Sequence, residues 1–190
     1  MTPVSPQCLD IDAPGPFWFF AYGSLMWDPP FRPAATEPAR LYGWHRSFCV
    51  FSETYRGTPE RPGLSLGLDR GGSCRGIALR IDDDIRSRAI RQIEAREMSS
   101  DPIYVCRPVR LHLSTGPADG YTLTVNRQDR IYASGLTFEQ TARRIAVSEG
   151  RRGPNIDYLA NTVAHLDEMG IGEGHLHALL RRARELRTGR

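Results

Sequence analysis

The chain has 190 residues and a mass of 21.3 kDa, the size of one ordinary domain with room for a sizeable core. All 25 of its basic residues are arginines, which excludes chemistry that needs a lysine amine, such as Schiff-base formation or P-loop phosphate binding. The formal charge of +3 comes from arginines interleaved with 22 acidic residues rather than from a basic stripe, so a nucleic-acid partner is not expected.

Residues 1–16 carry Pro3, Pro6, Pro14 and Pro16 and acidic side chains, and read as a tail or an edge-covering segment. They lack the basic start and apolar centre of a leader. No apolar stretch approaches the length of a membrane span, and a cytoplasmic protein is expected. Phe17 to Tyr22 is a continuous apolar, aromatic run, the pattern of a strand buried on both faces. It stops at Gly23-Ser24. A turn there is open to two readings: a plain strand-to-loop exit, or a set of backbone donors that grips an anion or a carbonyl oxygen.

Asp28 to Pro38 is proline-rich and is predicted to be irregular, whereas Arg40 to Thr54 alternates enough for a strand bent at Gly43. Tyr55 to Gly63 reads as a specificity loop, since loops carry recognition on a rigid scaffold. Leu64 to Leu68 and Gly76 to Ile81 flank Asp69-Arg70-Gly71-Gly72-Ser73, a hairpin signature. Asp82 to Asp84 are placed to cap a helix running through Ile85, Ala89, Ile90 and Ile93 toward Glu97. Strands follow at Tyr104 to Leu113 and Tyr121 to Asn126, then helices at Thr137 to Ser148, Ile156 to Met169 and Glu173 to Leu186. Strands first and helices later point to an α+β architecture with a helical C-terminal third, and to a single domain over residues 17–190.

Metal and thiol chemistry find no pattern here. Cys8, Cys49, Cys74 and Cys106 show no Cys-x-x-Cys spacing, and His45, His112, His165, His175 and His177 have no ligand spacing. Buried free thiols and core packing for His45 and Cys49 are expected, with His175 and His177 on different faces of their helix. The cluster Arg181, Arg182, Arg184, Arg187 and Arg190 suits the negative end of a helix. Glu97 falls on the side of its helix that carries Ile90 and Ile93. Residues alone leave it either a solvated helix-end glutamate or a carboxylate fitted for proton transfer by its apolar surroundings.

Ala21-Tyr22-Gly23-Ser24-Leu25-Met26-Trp27, Gly43-Trp44-His45-Arg46-Ser47-Phe48-Cys49, Arg56 to Gly63, Gly76, Arg96-Glu97-Met98 and Gly153 to Asn161 together resemble the ChaC family of γ-glutamylcyclotransferases. The resemblance implies a small, mostly antiparallel β-barrel with packed helices. It also implies a lyase that converts glutathione to 5-oxoproline and cysteinylglycine with no metal or organic cofactor; a monomer is expected, with no membrane partner. By the same resemblance Glu97 is the catalytic carboxylate, and Tyr22, Gly23, Ser24, Leu25, Met26 and Trp27 hold the γ-glutamyl head. Tyr104 and Tyr158 are further substrate-binding residues, although Ser99-Ser100-Asp101-Pro102 stands where relatives generally carry a glycine turn, which bears on Tyr104. Two other readings stay open: a cyclotransferase for other γ-glutamyl amines or amino acids, and a non-catalytic regulatory protein.

Overall fold

In a computed structural model the described residues are 15–97 and 103–189. Cys8, Met98 to Pro102, Arg190 and most of residues 1–16, for which the sequence carries expectations, lie outside them. Strand β1 (Phe17–Ala21) is buried along its whole length, as its aromatic run predicts. After it come a single 3-10 turn (Ser24–Met26), β2 (Ala35–Ser52), β3 (Gly63–Ile81), α1 (Arg86–Glu97), β4 (Tyr104–Leu113) and β5 (Gly116–Val125). Helix α2 (Phe138–Val147) leads into a two-residue pair of strands, β6 (Glu149–Gly150) and β7 (Gly153–Pro154), followed by α3 (Asn155–Glu168) and α4 (Gly174–Thr188).

The five long strands close into a barrel in the order β1-β3-β2-β4-β5. β1 lies antiparallel to β3 from Phe17 opposite Ile81 to Ala21 opposite Ile77, and β4 lies antiparallel to β5 from Tyr104 opposite Val125 to Leu113 opposite Gly116. The barrel is sealed where β1 meets β5 in parallel at Phe19 and Tyr121. Trp18 and Phe20 project from one side of β1 into a cluster with Leu41, Leu68, Cys74, Ala78 and Leu111. A fully buried phenylalanine such as Phe20 contributes about 2 kcal/mol of transfer free energy.

Two expectations change. The hairpin around Asp69 to Ser73 is absent: residues 63–81 form one strand, and the positive φ values of Gly71 and Gly72 bend it without ending it. The irregular segment is also shorter than predicted, because β2 already starts at Ala35. Cys49, Cys74 and Cys106 are buried free thiols.

The residues divide into two compact units, with the boundary falling within β2 and β3. The first holds the described residues up to Arg46 together with Leu68–Asn126. The second holds Ser47–Gly67 and the described residues from Arg127 onward. Within the second, α2, α3 and α4 pack on one another. Thr137 caps α2 reciprocally: its hydroxyl accepts from the Gln140 amide at 3.2 Å while the Gln140 side chain accepts from the Thr137 amide at 2.8 Å. Arg182 of α4 donates to both carboxylate oxygens of Glu139 at 2.8 and 2.9 Å.

Candidate active site

The aromatic run of β1 ends because the chain leaves the ladder after Ala21 and turns at once into the 3-10 segment. Inside this turn the amides of Met26, Trp27 and Asp28 donate back to the carbonyls of Gly23 and Ser24 at 2.9 to 3.2 Å. The amides of Gly23, Ser24 and Leu25 have no acceptor among the described residues. Leu25 and Met26 are buried, so the turn is anchored by its own apolar side chains, while Tyr22 to Ser24 and Trp27 are half-buried. Gly23 has a negative φ of −133°, so what it offers is a small side chain and not a left-handed turn.

Arg46 fixes the start of this exit. It is buried in β2, and its guanidinium donates to the Tyr22 carbonyl at 2.6 Å and to the Arg75 carbonyl at 2.7 Å, joining β1, β2 and β3 through one side chain. Each bond satisfies a carbonyl that the end of the ladder leaves over. Sequence reasoning recorded Arg46 only as one letter of a motif. An arginine just before the apolar run Phe48 to Phe51 is the signal that marks it, since a cation buried there needs partners.

The other side of the exit is α1. Ala89, Ile90 and Ile93 are buried along one stripe, and Arg86, which shares it, is buried too: its guanidinium stacks 5.1 Å over the Phe17 ring and pairs with Asp83. At the end of the stripe the Glu97 side chain is 25% exposed, neither solvated like a surface glutamate nor sealed off. Arg96 ties it to the turn. Its Nε lies 3.3 Å from Glu97 Oε1, its Nη2 donates to Ser24 Oγ at 3.2 Å, and its Nη1 is 3.1 Å from the Asp28 carboxylate and donates to the Asp28 carbonyl. One planar cation thus joins the last turn of the helix to the strand exit.

Glu97 and Ser24 are therefore brought together through Arg96. Tyr104 opens β4, paired with Val125 in the same unit and half-buried. Tyr158 lies on α3 in the second unit, edge-on to the Phe48 ring at 5.5 Å and 4.7 Å beneath the Arg56 guanidinium. No group of three or more His, Cys, Asp or Glu side chains among the described residues is arranged to hold a metal ion. His175 faces Phe138 and His177 faces Asp167, on different sides of α4 as their spacing requires.

The closed five-stranded barrel with its helices is an α+β fold of the γ-glutamylcyclotransferase-like class, shared with the solved structure described below. The chain belongs to the ChaC-like protein family, whose model matches residues 17–186. It is 31% identical over 167 residues to a protein from Escherichia coli named glutathione-specific gamma-glutamylcyclotransferase, covering 87% of this chain and 72% of that one. A relative from Arabidopsis thaliana, gamma-glutamylcyclotransferase 2-3, is 29% identical over 177 residues and 89% of each chain. Among solved structures, the yeast gamma-glutamyl cyclotransferase specific to glutathione shares the fold with a TM-score of 0.80 at 22% identity, over 93% of this chain and 99% of that one.

Proposed function

We propose that the chain is a γ-glutamylcyclotransferase that acts on glutathione and releases 5-oxoproline and cysteinylglycine. The observation that carries this reading is the bridge from Glu97 through Arg96 to Ser24, which ties the helix-end carboxylate to a turn whose Gly23, Ser24 and Leu25 amides have no acceptor among the described residues.

In a γ-glutamyl amide the substrate's own α-amine attacks the γ-carbonyl, so a new C–N bond closes a five-membered ring and the original amide C–N bond breaks. No protein nucleophile is needed, and holding the head folded recovers part of the large advantage of intramolecular reaction. The α-amine is mostly protonated at neutral pH. Glu97 takes its proton and returns one to the departing nitrogen, which leaves as the α-amine of cysteinylglycine. The amides at Gly23 to Leu25 face the oxygen that gains charge at the attacked carbon. Arg96 acts as a positioning residue for Glu97 and the turn. Tyr22, Met26 and Trp27 line the head-group side of this reading, and Tyr104 is assigned to substrate contact on the family motif. The protein works in the cytoplasm, as a monomer and without a cofactor.

Incubating the purified chain with reduced glutathione and assaying both products tests the reading. Wild type forms them, and Glu97→Gln lowers kcat by about two orders of magnitude, the usual worth of a general acid–base group. Absence of product from wild type would falsify the proposal. The Arabidopsis relative's name carries no glutathione specificity. For that reason γ-glutamyl-alanine belongs in the same assay, and faster turnover of it than of glutathione would reassign the substrate to other γ-glutamyl amines.

A further inference from the structure

The helices of the second unit are open on one side. On α4, Leu176, Leu179 and Ala183 are buried, and Arg182 turns to α2, where it pairs with Glu139. Elsewhere α4 and α3 together wall an open groove of about 660 Å³. Its floor is apolar: Val163 and Leu180 are buried, Ala160 is half-buried and Ala164 is exposed. Along α4 the groove runs from His177 to Thr188, about 16 Å at the ordinary helical rise, or three turns.

Arg181, Arg184 and Arg187 stand along the α4 wall, and all three are exposed. The negative end of a helix accounts for cations in its last turn, but Arg181 lies two turns before Thr188, and the three recur at i, i+3 and i+6 on the groove side. Their guanidiniums have no carboxylate within ion-pair distance among the described residues. The acids on the groove are mostly engaged. Asp167 faces His177 at 3.0 Å and Glu185 accepts from Arg182 at 2.9 Å, which leaves Asp157 alone against three guanidiniums. A positive wall thus borders an apolar floor along one line.

We propose that this groove docks an acidic amphipathic helix of a partner protein. A helix three turns long matches the groove, and its apolar stripe meets Val163 and Leu180, while the small side chains of Ala160 and Ala164 let its axis approach within the usual spacing of roughly 8–10 Å. Carboxylates flanking that stripe face the three arginines. Such rim pairs are individually weak, so they select the sign of the partner more than they supply its affinity. A second copy of this chain fits poorly, because a two-fold contact through this face sets the same arginines against one another. A nucleic-acid strand suits the arginines but leaves the apolar floor unused.

The test uses the full chain and a fluorescein-labelled helical peptide of about 20 residues, long enough to hold a helix, with leucines on one stripe and glutamates beside it. Its two controls are the same peptide with lysine for every glutamate and a scrambled peptide of the same composition without the stripe. Anisotropy titrations at low salt are expected to show saturable binding of the glutamate peptide, about tenfold or more tighter than of either control, and weakening as salt is added. Arg184→Glu is expected to weaken that binding by about tenfold and to narrow the preference over the lysine peptide. If Arg184→Glu melts below wild type, Ala164→Glu, which sets an exposed negative charge on the other wall, takes its place with the same expectation. The proposal is overturned by no saturable binding, by equal binding of the scrambled peptide, or by a variant that binds as wild type does. It is also overturned if sedimentation shows a dimer that Arg184→Glu dissociates, which gives the groove to a second copy, or if a uridine oligonucleotide binds more tightly than the glutamate peptide and displaces it.

Discussion

A guanidinium presents five N–H donors in a fixed plane, and Arg96 directs them to oxygens on two segments far apart in sequence, the Ser24 to Asp28 turn and its own neighbour Glu97. A lysine there keeps the charge but, as a point cation on a flexible stem, cannot hold all three partners at once. In Arg96→Lys we expect kcat for glutathione to fall by about tenfold to a hundredfold while KM changes little, because a group that acts through Glu97 loses transition-state alignment and not ground-state binding. A raised KM at unchanged kcat would instead put Arg96 in direct contact with substrate. The periodicity of α1 made the side of Glu97 legible, since Ile90 and Ile93 fix which face is buried. It said nothing of Arg96's partners, because those depend on where the loop after Met26 returns in space, and no local pattern encodes that.

The elements that read correctly are those whose chemistry is local. Thr137 and Gln140 form the capping box that starts α2, and the apolar stripe Ile156, Leu159, Val163 and Leu166 is buried on α3. Residues 63–81 depart from the hairpin pattern because Gly71-Gly72 is as good a signal for a bend within a strand as for a hairpin turn. Asn155 was legible only as a motif letter. Buried in the structure, it accepts from the Leu64 amide at 2.6 Å and donates to the Leu64 carbonyl at 2.8 Å, a side chain standing in for a strand neighbour. One link between α3 and α4 is sensitive to pH. His177 Nδ1 faces the Glu173 carbonyl at 2.8 Å and Nε2 faces Asp167 at 3.0 Å, so only the protonated ring donates to both. The backbone carbonyl first, and then Asp167, raise the His177 pKa above its ordinary 6.5. A pKa higher in the folded state gives stability that is fully present below 6.5 and fades as pH rises through the folded value. Thermal melts of wild type and His177→Gln are therefore expected to differ most below the ordinary value of 6.5 and to converge as pH rises through the folded value. A constant difference across that range would mean that His177 acts by packing alone.

At the scale of the molecule, strands followed by helices announced the α+β class, and the aromatic run announced a strand covered on both sides. What the order of elements did not announce is how the barrel closes, because the seam is a parallel meeting of β1 with β5 through the single pair Phe19 and Tyr121, which leaves no alternation to read. So short a ladder relies on close approach of the two backbones, and Gly120 makes that approach available. A Cβ at Gly120 would stand 2.8 Å from the Trp18 carbonyl oxygen and 2.9 Å from Leu111 Cδ1. The oxygen belongs to the backbone of β1 and cannot rotate away, so relief comes only by parting the strands or displacing Leu111 from the barrel core. Gly120→Ala is expected to cost about 1–3 kcal/mol, the usual penalty of overpacking. For a chain of this length that lowers the melting temperature by roughly 2–12 °C. Gly172 supplies the control: nothing lies within 4 Å of a Cβ built there, so Gly172→Ala should melt with wild type. If the two variants melt together, the seam does not depend on close approach at Gly120, and barrel closure rests on the antiparallel ladders on either side of it.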